Sequence, residues 1–137
     1  MAEIVVDTSV ALKWIFTDEP GAGKAVQFLV EHLAGRRDLV VPGFFNWEAP
    51  HALRHCSYQP TLEDVRAAIA FLRDLRLRIH PMSASLVQCA LELSYEHQIP
   101  VFDAYFVATA VSRECSFVTA DRKAYRRMSR LSFIELL

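Results

Sequence analysis

The amino-acid sequence predicts an α/β protein of three layers, with a mainly parallel five-stranded sheet between helices. Three observations carry this expectation. Short apolar runs alternate with longer segments whose apolar residues recur at helical spacing, the pattern of strand–helix–strand units. The runs are apolar at consecutive positions, which suits parallel strands covered on both faces. Finally, the chain has 137 residues, 53% apolar and 23% charged. A chain of that length buries about two-thirds of the surface that its unfolded form exposes. One domain over 1–137 is expected, with a core that needs no disulfide framework.

Five runs are expected as strands: 4–6, 39–41, 78–80, 116–119 and 132–134. Between them lie helices with recognisable punctuation. A first helix follows Asp7 and carries Lys13. Pro20, after Asp18 and Glu19, suits the start of a second, whose Ala25, Phe28, Leu29 and Leu33 share a face and which stops at Gly35. Thr61 and Asp64 form a capping-box pattern ahead of Leu62, Val65, Ile69 and Leu72. Another helix runs through Leu86, Val87, Ala90, Leu91 and Ser94. The segment 103–111 is apolar nearly all round, so its helix should be deeply buried.

Bulk properties exclude several classes. Formal net charge is −1, so any nucleic-acid binding must come from local clustering. The cysteines, Cys56, Cys89 and Cys115, are odd in number and form no close pair, which points to reduced thiols. The start, MAEIVVDTS, lacks a basic leader, and no apolar run approaches the length of a membrane span. A soluble cytoplasmic protein without membrane contact is expected.

The acids give the first functional signal. Asp7 ends the first strand, and Asp121 stands just past the fourth. Glu48 falls in the first turns of the helix after the second strand, and Asp103 opens the buried helix behind a Pro100 turn. Open parallel sheets bind ligands at the carboxyl ends of their strands. Four carboxylates there would raise one another's pKa unless a cation compensated. Hard oxygen donors suit Mg²⁺ or Mn²⁺, which bind phosphate oxygens and activate water, and phosphodiester hydrolysis is the natural chemistry. Singly, each acid has a plainer explanation. Asp7 suits a turn, Asp103 and Asp121 suit helix N-caps, and Glu48 complements a helix dipole. None of these explains why all four meet at one edge.

At these positions the sequence resembles the PIN-domain ribonucleases of the VapC-type toxin group. VVDTSVALKW is similar to the family's opening strand, acid and Thr/Ser pair. PGFFNWEAPHALR is similar to its helix entry, IPVFDAYFVATA to its third motif, and FVTADRKAYRR to its fourth. The resemblance implies a PIN fold, a Mg²⁺ or Mn²⁺ site and endonucleolytic cleavage of RNA. Asp7 and Asp103 match direct metal ligands. Glu48 and Asp121 match acids that hold metal-bound waters or help activate one. Thr8, Ser9 and Thr119 match polar residues that buttress the acids or touch substrate phosphate. The resemblance also implies an antitoxin partner lying across an apolar groove and a homodimer. One departure is Glu48-Ala49-Pro50-His51, where the family often has Glu-Val-Ala-Asn. Pro50 is expected to be tolerated only in the first turn of its helix.

The sequence carries other candidate features. Glu48, His51 and His55 share a helical face and offer a transition-metal alternative, with no second cluster to complete it. His32, His80 and His97 form no pattern. From Arg113 to Arg130 there are six basic residues (Arg113, Arg122, Lys123, Arg126, Arg127, Arg130) against two acids, a set suited to phosphates or to a solvated helix face. Arg122, next to Asp121, is the best candidate for a phosphate contact. Trp14, Phe16, Phe44, Phe45 and Trp47 are expected mainly in the core, some at a partner groove. Competing functions are a non-catalytic PIN-like RNA- or protein-binding module and a PIN nuclease of RNA processing without an antitoxin. A haloacid-dehalogenase-like phosphatase would require Asp-x-Asp where this chain has Asp7-Thr8-Ser9. A receiver domain would have no use for Glu48.

Overall fold

The computed structural model describes residues 2–137. Its elements, in order, are β1 (Ala2–Val6), α1 (Thr8–Ile15), α2 (Ala22–Leu33), β2 (Arg37–Pro42), α3 (Phe45–His55), α4 (Leu62–Asp74), β3 (Arg78–His80), α5 (Ala84–His97), α6 (Val101–Arg113), β4 (Ser116–Thr119), α7 (Arg122–Arg127) and β5 (Ile134–Leu136). The five strands form one sheet in the order β3-β2-β1-β4-β5, and every pairing is parallel. The chain winds outward from β1 to β3 on one side and then returns to build β4 and β5 on the other. The winding therefore reverses at β1 and β4, where open sheets leave a crevice beyond their carboxyl ends.

Alternation along each strand explains the continuous apolar runs. Ile4 and Val6 of β1, Leu39 and Val41 of β2 and Val118 of β4 face α1, α2, α3 and the end of α4, where they pack with Val10, Trp14, Phe28, Phe45 and Leu72. Val5, Val40 and Phe117 point the other way, against Leu86, Ala90, Tyr105, Phe106 and Met128. Each strand thus feeds two cores. The burial expected for 103–111 holds over Ala104–Ala110, seven consecutive buried residues. The one hydroxyl among them on a serine or threonine, that of Thr109, donates to the Tyr105 carbonyl at 2.8 Å and is satisfied within the helix.

The punctuation is largely as expected. Thr61 and Asp64 close a reciprocal capping box, each side chain accepting from the other's backbone N–H at 3.1 Å. Past the end of α2, Gly35 has φ +75°. The N–H of Gly35 bonds to the His32 carbonyl and that of Arg36 to Glu31, a Schellman closure that favours glycine. Two expectations need correction. Helix α2 starts at Ala22, not at Pro20, because Gly21 intervenes with φ +83° and breaks the helical path. The last strand is 134–136, not 132–134, because Leu131 and Ile134 close a turn (Ile134 N–H to the Leu131 carbonyl, 3.3 Å) and pairing with Phe117 begins only at Ile134.

His32 has a structural role that its sequence context did not reveal. Its Nδ1 accepts from the Leu39 N–H at 3.1 Å, and its Nε2 stands 2.9 Å from the Leu75 carbonyl. With Nδ1 accepting, Nε2 carries the proton, so one ring latches α2 to β2 and to the end of α4. His32→Leu should strand both backbone groups and cost about 2 kcal/mol, measured by urea unfolding at neutral pH.

Candidate active site at the carboxyl edge of the sheet

Asp7 follows β1 directly and occupies the N-cap position of α1, but its carboxylate does not cap that helix. It is buried, and Oδ2 accepts from the Ser9 hydroxyl at 2.7 Å and the Thr119 hydroxyl at 2.8 Å. Thr119 closes β4, so the hydroxyl tie joins the ends of the two strands where the winding reverses. The Ser9 oxygen also accepts from the Ala120 N–H at 3.0 Å, and that of Thr119 from the Asp121 N–H at 3.0 Å. Oδ2 is thus held from below, and Oδ1 takes no side-chain hydrogen bond among the described residues.

Glu48 lies in the first turn of α3. Its Oε1 accepts from the Thr8 hydroxyl at 2.5 Å, a bond between residues 40 positions apart that locks α3 to the start of α1. Asp103 lies in the first turn of α6, whose N-cap is Pro100, so it is not the cap that the plainer explanation offered. Asp121 is a cap: its Oδ1 accepts from the Ala124 N–H at 3.1 Å at the start of α7. Its second oxygen remains uncommitted among the described residues.

The other three acids lie within electrostatic reach of Asp103. Burial pushes the Asp103 carboxyl up to about 7, with Asp7, Glu48 and Asp121 adding like-charge repulsion in that order. Burial also raises Asp7, against the hydroxyls of Ser9 and Thr119 and the Thr8 N–H, and Asp121 raises it further. Glu48 is raised by burial first and by Asp7 as well, with the Thr8 hydroxyl and His51 pulling it down. None of the four acids takes part in a salt bridge among the described residues. Such an excess of negative charge favours a cation.

Among the described residues no three His, Cys, Asp or Glu side chains are drawn together as a ready-made metal cage, and that includes Glu48, His51 and His55. The acids are near enough to repel one another, and no three of them stand as a group that would by itself hold an ion among the described residues. Mg²⁺ fits such a set, because it keeps several waters and uses only one or two carboxylates. The donor set therefore suits a hydrated hard cation.

Several other expectations meet the structure here. The hydroxyls of Thr8, Ser9 and Thr119 are turned onto the acids. Arg122, the first residue of α7, is exposed. Arg113 leaves the basic cluster: it pairs with Glu3 through Nε at 3.1 Å and Nη2 at 2.5 Å, early in β1 and about 13 Å along the strand from Asp7. Arg127 donates to the Gln98 carbonyl. Pro50 sits inside α3 as its sixth residue, not in the first turn. The cost is the one bond its N–H would have given to the Asn46 carbonyl, and Asn46 is exposed. Trp14 and Phe45 are buried as expected, whereas Trp47 is not. A groove of about 470 Å³ between α3 and α4, lined by Phe45, Ala49, Pro50 and Leu72 with Arg73 and Arg76 beside them, holds none of the four acids.

Comparison with known proteins agrees with this architecture. No curated protein sequence matches the chain. Among solved structures, VapBC2 from Rickettsia felis, bound to a DNA fragment from its promoter, is 15% identical, with 98% of each chain covered and a TM-score of 0.70. Mycobacterium tuberculosis VapC20, described as a Sarcin-Ricin loop cleaving toxin, is 19% identical over 96% of this chain and 97% of its own, with a TM-score of 0.70. A toxin-antitoxin complex from Klebsiella pneumoniae is 17% identical over 96% and 95%, with a TM-score of 0.63. At these identities the likeness is one of fold. The family model for the PIN domain matches residues 4–131, a span that includes all four acids, and the chain belongs to the PIN domain family.

Proposed function

We propose that the chain is a PIN domain over its whole length and an endoribonuclease that hydrolyses RNA phosphodiester bonds with Mg²⁺ or Mn²⁺. The observation that supports this best is the convergence of four unpaired acids, from four different elements, at the reversal of the sheet. In this reading Asp7 and Asp103 bind the ion directly, and Glu48 and Asp121 hold its waters. A bound divalent ion supplies a polarised phosphoryl oxygen and a more acidic water. The protein's own part is positioning. Ser9 and Thr119 fix the Asp7 carboxylate, and Thr8 fixes that of Glu48. Asp103, pushed up to about 7, holds or yields a proton near neutrality, so its charge state follows the cation. In the same reading Arg122 and its basic neighbours on α7 meet the RNA backbone, and Thr8, Ser9 and Thr119, whose hydroxyl protons go to the acids, act on substrate phosphate chiefly by holding those acids in place.

The toxin role in a toxin–antitoxin pair is part of the same reading, supported by the VapC20 and Klebsiella descriptions. It brings an antitoxin as partner, a homodimer and a cytoplasmic site of action. No helix among the described residues is long and apolar enough to cross a membrane. The test is cleavage of single-stranded RNA by repurified protein. Activity should vanish with EDTA and return with added Mg²⁺ or Mn²⁺. Cleavage that persists undiminished in EDTA would reject the metal-dependent mechanism.

A further inference from the structure

One residue before two of the acids, the chain carries aromatic side chains that the fold leaves in water. Trp47 is 82% exposed and Phe102 is 64% exposed. Trp47 immediately precedes Glu48 in the first turn of α3, and Phe102 immediately precedes Asp103 in the first turn of α6. The usual fate of such a ring is seen at Trp14, which is 5% exposed with its indole N–H donating to the Ala25 carbonyl at 2.8 Å. Phe102 is exposed but not unsupported. Phe44 meets it edge-on at 5.5 Å between centroids and is itself braced by Tyr105 and Phe106 at 5.4 and 5.2 Å.

The site also has an affinity problem. A polyanion approaching four carboxylates is repelled, and the net charge of −1 supplies no general attraction. The cation and the basic residues of α7 offset that repulsion, and contacts that carry no charge add grip without it. Every nucleobase has a π face, and aromatic side chains bind unpaired bases by stacking regardless of sequence. In a single strand the bases on either side of a phosphate are free to splay apart, whereas in a duplex they are committed to one another. Trp47 and Phe102 each precede an acid by one residue in the first turn of its helix, so both rings belong to the edge to which a strand bound at the acids comes.

We propose that Trp47 and Phe102 are stacking platforms that seat the unpaired bases flanking the phosphate held at the acids, and so select single-stranded over duplex RNA. This rests on the ribonuclease reading above. Exposed Trp47 and buried Trp14 make intrinsic fluorescence a direct probe. Asp7→Asn protein in Mg²⁺ is titrated with a single-stranded RNA oligonucleotide, with a duplex of the same sequence and with an abasic strand of the same length. Only the single strand with bases should quench strongly. In the otherwise unaltered protein, Trp47→Ala and Phe102→Ala should each raise KM for single-stranded RNA about tenfold or more, with the smaller part of the loss in kcat. Trp47→Phe should recover most of it. Unchanged KM in both alanine variants overturns the proposal and leaves the nuclease reading intact. So does equal quenching by the abasic strand, the result expected if the rings receive a protein partner instead. If unaltered protein cuts no RNA with Mg²⁺ or Mn²⁺, the nuclease reading fails and the fluorescence titration alone decides the stacking.

Discussion

Asp7→Asn is expected to lower metal-dependent RNA cleavage by about a thousandfold or more while the protein stays folded. The substitution keeps one oxygen, which goes to the two hydroxyl donors, Ser9 and Thr119, that now hold Oδ2. The amide NH₂ must then point toward the other acids, where it donates hydrogen bonds and cannot ligate a cation. A buried charge is also removed, so the fold has no reason to weaken. Asp121→Asn makes the contrast. Asparagine caps a helix as well as aspartate, so the bond to Ala124 survives, and Asp121 is exposed. Its loss should be nearer tenfold. Initial rates on one oligonucleotide, together with thermal unfolding of each variant, check the order. Equal rates for Asp7→Asn and unaltered protein would remove Asp7 from the chemistry.

That ranking was only partly visible in the sequence. Asp7 and Asp121 were placed by strand ends, because a short apolar run terminates sharply and the next polar residue must lie at the edge of the sheet. The capping box at Thr61 and the stop at Gly35 were equally legible, since each depends on residues within one turn of each other. What stayed hidden was long-range. The Thr8 hydroxyl reaches Glu48 across 40 positions, and Thr119 reaches Asp7 across 112. No local pattern encodes such pairs. The latch made by His32 and the capture of Arg113 by Glu3 were hidden for the same reason. The exposure of Trp47 was hidden for another. Aromatic content argues for burial on average, and only the packed structure shows which ring is left out.

Asp103 shows most directly what the site costs the fold. A carboxyl whose folded pKa lies above its unfolded value binds its proton more tightly in the folded protein. The stability this provides is complete below the ordinary value of 3.8 and is lost as pH rises through about 7. At pH 8, without a divalent ion, Asp103 is therefore ionised against burial and against Asp7, Glu48 and Asp121. Asp103→Asn removes that penalty. The residue is only partly buried, so water screens part of the effect, and a gain of about 2 kcal/mol at pH 8 is expected, falling to nearly nothing at pH 4. Millimolar Mg²⁺ should stabilise the unaltered protein at pH 8 by binding the folded state alone, and should do much less for Asp103→Asn. Urea unfolding at the two pH values, with and without Mg²⁺, reads all of this. A variant no more stable than the unaltered protein at pH 8 would mean that the acids do not repel one another as their placement requires. The same variant should cleave RNA about a thousandfold more slowly, because in the proposed reading the group that weakens the empty fold also binds the ion.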